Sequence, residues 1–248
     1  MRDVCDMAKV LLTGAAGYTG KGLGEVLAAT HEVRGMDVRA SEGVSESVVA
    51  DVGDLDACRA AVAEVEAVVM CHMAPNPVGY ETPVAAIDVN VKGTANLFHA
   101  MVEREVGRCV MISSLGVAPV ADGVPEPPEP GVGAYNLTQL YCVTKGFGEM
   151  LAAHYFQTAG IVTTMLRPWW IVYDETQITK YGQKLDHYEA SYVDPRDIGR
   201  AVVSALALED AKFEALNLAQ DDFVLGVAEA ERRLGWRAQY RFESLRGG

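Results

Sequence analysis

Tyr141 and Lys145 stand four residues apart in a stretch with helical apolar spacing, so their side chains leave the same helix face. An ammonium held near a phenol favours the phenolate and lowers the phenol's pKa. A phenol tuned in this way can exchange a proton with a substrate hydroxyl near neutral pH. Ser113-Ser114 closes the preceding apolar run, and a hydroxyl there can orient a substrate oxygen beside Tyr141. Neither signal is specific alone: tyrosine and lysine share this spacing in many helices, and serines end many strands. Their meaning depends on the elements that hold them.

The first of those elements lies near the N-terminus. Val10-Leu11-Leu12 reads as a buried strand, and Thr13-Gly14-Ala15-Ala16-Gly17-Tyr18-Thr19-Gly20 follows it. Leu23, Val26 and Leu27 then repeat at helical spacing. A strand, a glycine turn and a helix N-terminus in that order suit a dinucleotide pyrophosphate. Gly14 permits the tight exit from the strand, Gly17 removes a side chain beside the phosphate, and Gly20 is expected to let the helix pack closely on the sheet. The spacing is Gly-x-x-Gly-x-x-Gly. Asp37 ends the next apolar run, where a carboxylate accepts hydrogen bonds from the adenosine ribose and repels a 2′-phosphate, which favours NAD over NADP. Arg39, two residues on, can instead face a phosphate. Asp51, with Val52 beside it, ends the third run and can reach the adenine amino group or serve as a turn or helix-capping residue.

Strand-like runs at 9–13, 32–36, 47–50, 67–71, 108–113 and 161–166 alternate with helical patterns at 18–29, 55–64, 84–105 and 134–159. This alternation predicts an α/β fold: a Rossmann-type doubly wound parallel sheet with helices on both faces and ligands at the strand C-termini. Residues 117–133, rich in Pro, Glu and Gly, read as a surface loop that can also flap over the ligand edge. Beyond Leu166 the pattern changes to a polar, tyrosine-containing stretch, then a helix from Pro195 to 208, a strand at 213–218 and a helix at 225–234. The expected organisation is one domain over 1–248, with a core at 9–166 that binds NAD and a small substrate lobe formed mostly by 167–248.

The chain has 248 residues, half of them hydrophobic, and a formal net charge of −13. That balance argues against general affinity for nucleic acid or anionic membranes. No apolar run is long enough to span a bilayer, and the charged N-terminal residues 1–8 do not resemble a signal peptide. Cys5, Cys58, Cys71, Cys109 and Cys142 are scattered, as in a reduced cytoplasmic protein. His31, His99, His154 and His187 form no ligand-spaced cluster, so no metal is expected.

Taken together in order, the motifs resemble the extended branch of the short-chain dehydrogenase/reductase superfamily, the NAD-dependent epimerase/dehydratase family. The resemblance runs over almost the whole chain. Its marks are Thr13 to Gly20, Val69-Met70-Cys71-His72-Met73-Ala74, Asn90-Val91-Lys92-Gly93-Thr94-Ala95-Asn96-Leu97, Met111-Ile112-Ser113-Ser114, Tyr141 with Lys145, Leu166-Arg167-Pro168, Tyr192-Val193-Asp194-Pro195-Arg196-Asp197 and Leu234-Gly235-Trp236. The resemblance implies that Tyr141 is the acid/base, that Lys145 binds the nicotinamide ribose and lowers the tyrosine pKa, and that Ser114 holds the reacting oxygen. It implies NAD contacts at Gly14, Gly17, Tyr18, Thr19, Gly20, Asp37, Asp51, Val52, His72, Met73, Ala74, Asn90, Tyr141, Lys145 and Pro168, and substrate contacts at Ser114, Leu115 and Trp170. The chain's proportions are similar to those of uronate dehydrogenase-like members, although those carry Asn-His where this chain has Leu115-Gly116. The implied activity is oxidation of a hydroxyl or reduction of a carbonyl on a small sugar or sugar acid. The alternatives are an epimerase or dehydratase without net redox change, and an NAD-binding sensor without turnover. The long helices carry apolar residues beyond one stripe; the resemblance implies that such helices pair in a homodimer, and a face buried within the chain reads the same way.

Overall fold

The apolar runs form parallel strands because each is bounded by turn chemistry and is too short to make a helix of ordinary length. In the computed structural model, which describes residues 7–75, 82–118, 120–121, 124–125, 135–223 and 227–246, the chain runs as follows. β1 (Lys9–Thr13), α1 (Tyr18–Leu27), β2 (Glu32–Asp37), β3 (Glu46–Val49), α2 (Leu55–Val62) and β4 (Ala67–Met70) make the first half. Then come α3 (Pro83–Ala85), a π-helical stretch (Ala86–Lys92), α4 (Gly93–Glu103) and β5 (Arg108–Ile112), with β6 (Val120–Ala121) and β7 (Val124–Pro125) as a short antiparallel pair. α5 (Leu140–Ala159), β8 (Val162–Pro168), β9 (Trp170–Ile171), β10 (Tyr192–Val193), α6 (Pro195–Leu206), β11 (Glu214–Leu218), α7 (Ala228–Leu234) and α8 (Glu243–Arg246) complete it.

The main sheet has seven strands in the order β11-β8-β5-β4-β1-β2-β3. Every pairing in it is parallel, so all strand C-termini open on one edge. The order reverses at β1 and β4, the place where open α/β sheets bind their ligands. Along β1 the side chains alternate. Val10 and Leu12 enter a core with Leu23, Leu27, Val69, Val110, Ile198 and Trp236. Leu11 enters the opposite core with Met36, Phe98, Met101, Met111 and Met165. Both faces of the sheet are therefore covered by helices, the doubly wound arrangement.

Several boundaries differ from those the sequence predicts. α2 ends at Val62 because Glu64 takes a left-handed φ of 62°. α5 starts at Leu140 rather than 134. Asn136 is held by the Val117 carbonyl at 2.9 Å, and its side chain takes up the Thr138 N–H at 3.0 Å. β8 runs on to Pro168, because Arg167 and Pro168 still face Asn217 and Leu218 of β11. The helix predicted over 84–105 is not uniform, since its first part is π-helical. Residues 1–6, 76–81, 119, 122–123, 126–134, 224–226 and 247–248 lie outside the described residues, and with them Cys5, most of the Pro-rich loop and the predicted starts at 134 and 225.

The C-terminal quarter does more than cover the sheet edge: β11 joins the sheet, and α6 packs along α1. Asp194 caps α6 through the Arg196 N–H at 2.9 Å, and Trp236 donates its indole N–H to the Asp197 carbonyl at 2.7 Å. Among the described residues, no helix is long and apolar enough to cross a membrane.

Candidate active site

Gly14 follows β1 with a φ of +70°, and a Cβ there would stand 2.7 Å from the Cys71 carbonyl oxygen. Only glycine meets both conditions. A Cβ on Gly20 would collide with the carbonyl of Gly14. The close approach at Gly20 is therefore to its own turn, not to the sheet as expected. Gly17 precedes α1 and offers no side-chain cap, so the first-turn N–H groups face the groove for an anion. The groove has a volume of about 480 Å³ and is lined by Gly14, Gly17, Tyr18, Thr19, Gly20 and Asp37, with Arg39, Cys71, Met73, Lys180 and Tyr181. An adjoining space of about 120 Å³ adds Asp51, Val52, His72 and Val89. A glycine cradle at a helix N-terminus, with a carboxylate after β2, fits a dinucleotide.

Two backbone donors aim the Asp37 carboxylate: the Ala16 N–H reaches Oδ2 at 3.2 Å and the Arg39 N–H reaches Oδ1 at 3.1 Å. The Arg39 guanidinium lies alongside, donating to the Ala16 carbonyl at 3.1 Å. Asp51 Oδ1 accepts the Gly53 N–H at 2.8 Å, so this carboxylate also shapes its own turn.

Tyr141, Lys145 and Glu149 follow one another at intervals of one turn along α5 and share a face. Lys145 Nζ donates to the carbonyl of Ile112, the last residue of β5, at 2.9 Å. Burial lowers the Lys145 pKa, partly offset by Cys71 and Glu149. The two serines after β5 divide their tasks. Ser113 Oγ donates to Glu149 Oε1 at 2.6 Å, in the protein interior. Ser114 Oγ accepts the Gly116 N–H at 3.1 Å, so its hydroxyl proton is available to another acceptor. Behind them Arg167 grips Glu149 with two bonds, Nε to Oε1 at 2.8 Å and a terminal nitrogen to Oε2 at 2.6 Å.

The π-helical stretch positions Asn90. Its side-chain oxygen accepts the Ala74 N–H at 2.7 Å, and its amide donates to Thr144 Oγ1 at 3.0 Å. The Thr144 hydroxyl donates in turn to the Tyr141 carbonyl at 2.9 Å. Asn90 thus ties the segment after β4 to the N-terminal part of α5. Such widened turns recur at functional sites. Asn90, His72 and Lys145 line one small cavity of about 10 Å³, the scale of a single water.

His72 lies between two hydroxyls, Thr13 Oγ1 at 2.8 Å from Nδ1 and Thr94 Oγ1 at 3.1 Å from Nε2. The Thr94 hydroxyl donates to the Asn90 carbonyl at 2.7 Å, so it accepts from His72. The pattern fits a neutral ring with its proton on Nε2, and Thr13 donating to Nδ1. Burial, and after it the Lys145 charge, lowers the His72 pKa to about 3. Unfolding restores the ordinary value of 6.5, so between the two values the unfolded chain binds more protons. The stability from the neutral ring is complete above 6.5 and is lost as pH falls toward 3, at no more than about 1.4 kcal/mol per pH unit. NMR titration should find the His72 ring silent over roughly pH 5 to 8. The exposed His187, raised by Asp186 and then Glu189, should titrate above the ordinary value of 6.5.

The remaining predicted residues are placed as follows. Pro168 is buried at the end of β8, and Ala74 is buried beside Asn90. Trp170 is 44% exposed, whereas Leu115 is fully buried and lines none of the spaces described above. Glu149, Thr144, Cys71, Lys180 and Tyr181 also reach the site or support it, and sequence reasoning did not single them out. Glu149 had a visible signal, the same four-residue step continued from Tyr141 and Lys145. Lys180 and Tyr181 had none, lying in a stretch without periodicity.

Comparison with known proteins adds to this geometry. A sequence profile of the NAD dependent epimerase/dehydratase family matches residues 10–172. An L-arabinose 1-dehydrogenase (NAD(P)(+)) of Haloferax volcanii is 32% identical over 264 residues, covering 93% of this chain and 96% of that protein. The crystal structure of a uronate dehydrogenase from Agrobacterium tumefaciens superposes with a TM-score of 0.77 at 24% identity, covering 96% of this chain and 86% of that one. A UDP-galactose 4-epimerase structure gives 0.76 at 22% identity, covering 96% of both chains. The last two likenesses speak for the fold alone. With the family profile spanning the glycine turn, the serine strand and the tyrosine-lysine helix, this chain belongs to the NAD-dependent epimerase/dehydratase family.

Proposed function

We propose that the chain is an NAD-dependent oxidoreductase acting on a hydroxyl or carbonyl of a small sugar or sugar acid through Ser114, Tyr141 and Lys145. The observation that carries the reading is the placement of α5. Its Lys145 is fastened to the end of β5, one turn from Tyr141, at the sheet edge that also holds the glycine groove. NAD, when bound, supplies the hydride acceptor. The chain's residues do the rest. Ser114 donates its hydroxyl proton to the reacting oxygen and fixes its position. Tyr141 takes the proton that leaves the substrate hydroxyl. The Lys145 charge favours the phenolate, and its remaining N–H groups are suited to the nicotinamide ribose. Asp37 takes the adenosine ribose. Residues 9–166 carry most of the cofactor side of a single domain, 1–248, and 167–248 mostly close the substrate side.

The 32% identity to a sugar 1-dehydrogenase, across nearly the full length of both chains, supports net oxidation over epimerisation. A screen of aldoses, free sugar acids and UDP-sugars with NAD or NADP tests this. NADH should accumulate with a free sugar or sugar acid, and NAD should bind more tightly than NADP. Turnover confined to UDP-sugars, without NADH, would promote the epimerase reading. NAD binding with no turnover on any of them would leave a sensor.

The homodimer reading rests on an apolar face. Phe147 and Met150 on α5, with Ile87 and Val102 on the neighbouring helix, are 40–42% exposed. Exposed apolar side chains on helices that pack side by side suit an association surface. Light scattering should give twice the chain mass, and Phe147→Glu should halve it. The four described cysteines, Cys58, Cys71, Cys109 and Cys142, are all free thiols, as suits the cytoplasm.

A further inference from the structure

Lys180 enters the glycine groove from the loop between β9 and β10. Its Nζ lies 4.0 Å from Met73 Sδ and 5.2 Å from the centre of the Tyr181 ring. Among the described residues it forms no ion pair with a carboxylate. Although the residue as a whole is solvent-exposed, its ammonium is enclosed enough that desolvation, and after it the charge of Lys145, lowers its pKa to about 8. The Lys145 ammonium, which lines the small cavity beside His72, repels that of Lys180, and an anion bound against Lys180 offsets the repulsion.

The loop does not reach the groove by chance of packing alone. Tyr18, in the glycine turn, donates its hydroxyl to the Ile178 carbonyl at 2.7 Å and accepts the Tyr173 N–H at 3.1 Å. The two tyrosine rings meet edge-on at 5.1 Å. Lys180, two residues beyond Ile178, is thereby fixed beside the turn that cradles the phosphates.

We infer that Lys180 binds the cofactor, its ammonium seated on the NAD pyrophosphate while the glycine turn and the α1 N-terminus hold the opposite side. The inference rests on the cofactor reading above and deepens it. A pyrophosphate is favoured over a substrate carboxylate because the space Lys180 lines is built by Gly14, Gly17 and Gly20, whereas Ser114 and Tyr141 do not line it. The glycine turn offers neutral N–H groups and a helix dipole. Lys180 adds a full positive charge, in a chain whose net charge of −13 repels a dinucleotide at long range.

The test uses the full chain and three ligands: NAD, ADP-ribose and uncharged adenosine, measured by calorimetry or by competition. In Lys180→Gln, NAD and ADP-ribose should each bind roughly tenfold or more weakly, the scale of one charge-assisted hydrogen bond. Adenosine should bind as before, and the salt dependence of NAD binding should flatten. Lys180→Arg should keep most of the affinity. Unchanged NAD and ADP-ribose affinity in Lys180→Gln would overturn the inference. So would an equal loss for adenosine, which would make Lys180 a packing residue of the loop. A raised KM for carboxylate-bearing sugars alone would move Lys180 to the substrate and overturn it as well. Wild-type chain that bound no NAD would sink the cofactor reading itself, and would do so before any variant was compared.

Discussion

Tyr141→Phe is expected to cut turnover by ~100- to 10,000-fold, the usual range for general acid–base help, while leaving NAD affinity nearly intact. The substitution removes one oxygen and keeps a ring of the same shape in the first turn of α5. The N–H and C=O of residue 141 are unchanged, so the Thr144 bond to its carbonyl survives. The loss should fall equally on kcat and kcat/KM, the mark of a group needed only in the transition state. Lys145→Met should harm both turnover and NAD binding, since that residue is asked to serve phenol and ribose alike. Ser114→Ala should cost less than either, because it orients an oxygen and takes no proton. Stopped-flow rates and NAD titrations on the same preparations separate these effects. Full activity in Tyr141→Phe on an identified substrate would refute the mechanism.

Glu149→Ala is expected to destabilise the fold strongly. Glu149 is completely buried and Arg167 is 1% exposed, so removing the carboxylate leaves a guanidinium without its anion in the interior, and leaves the Ser113 hydroxyl without its acceptor. Breaking a buried pair from one side costs about 3–5 kcal/mol. For a chain of this size, that is a fall in Tm on the order of 6–20 °C. A double variant, Glu149→Met with Arg167→Met, should recover part of the loss, because no charge is then stranded. Calorimetry on the three proteins decides it: a Tm unchanged in Glu149→Ala would mean that the network carries little of the stability. Since the pair joins α5 to β8 directly behind Lys145, the single variant should also loosen the site and lower kcat at temperatures where it remains folded.

The sheet was legible in the sequence because buried parallel strands are short apolar runs, and the glycine turn was legible because its chemistry is local. The i, i+4 relation between Tyr141 and Lys145 carried over without change, since both lie in one regular helix. What the sequence concealed depends on partners far along the chain. Nothing in Ala86–Lys92 marks it as π-helical; the widened turn accompanies bonds from Asn90 to Ala74 and Thr144, which only the fold brings near. The separate duties of Ser113 and Ser114 follow from which of them meets Glu149. Lys180 lies in a loop whose path is fixed by a tyrosine near the other end of the chain.

That last bond also bears on the order of assembly. Tyr18 and Ile178 are 160 residues apart, and a contact of such separation closes late, because the chain between must be ordered first. During synthesis the glycine turn leaves the ribosome early but waits for residue 178 before its groove has a second wall. A nascent chain stopped at the end of β5 would carry the fingerprint and still lack the complete nucleotide site. A complete groove therefore reports that the chain has been made and ordered at least through residue 178. By mass action, the free energy of dinucleotide binding is added to the global folding equilibrium rather than to the N-terminal half alone.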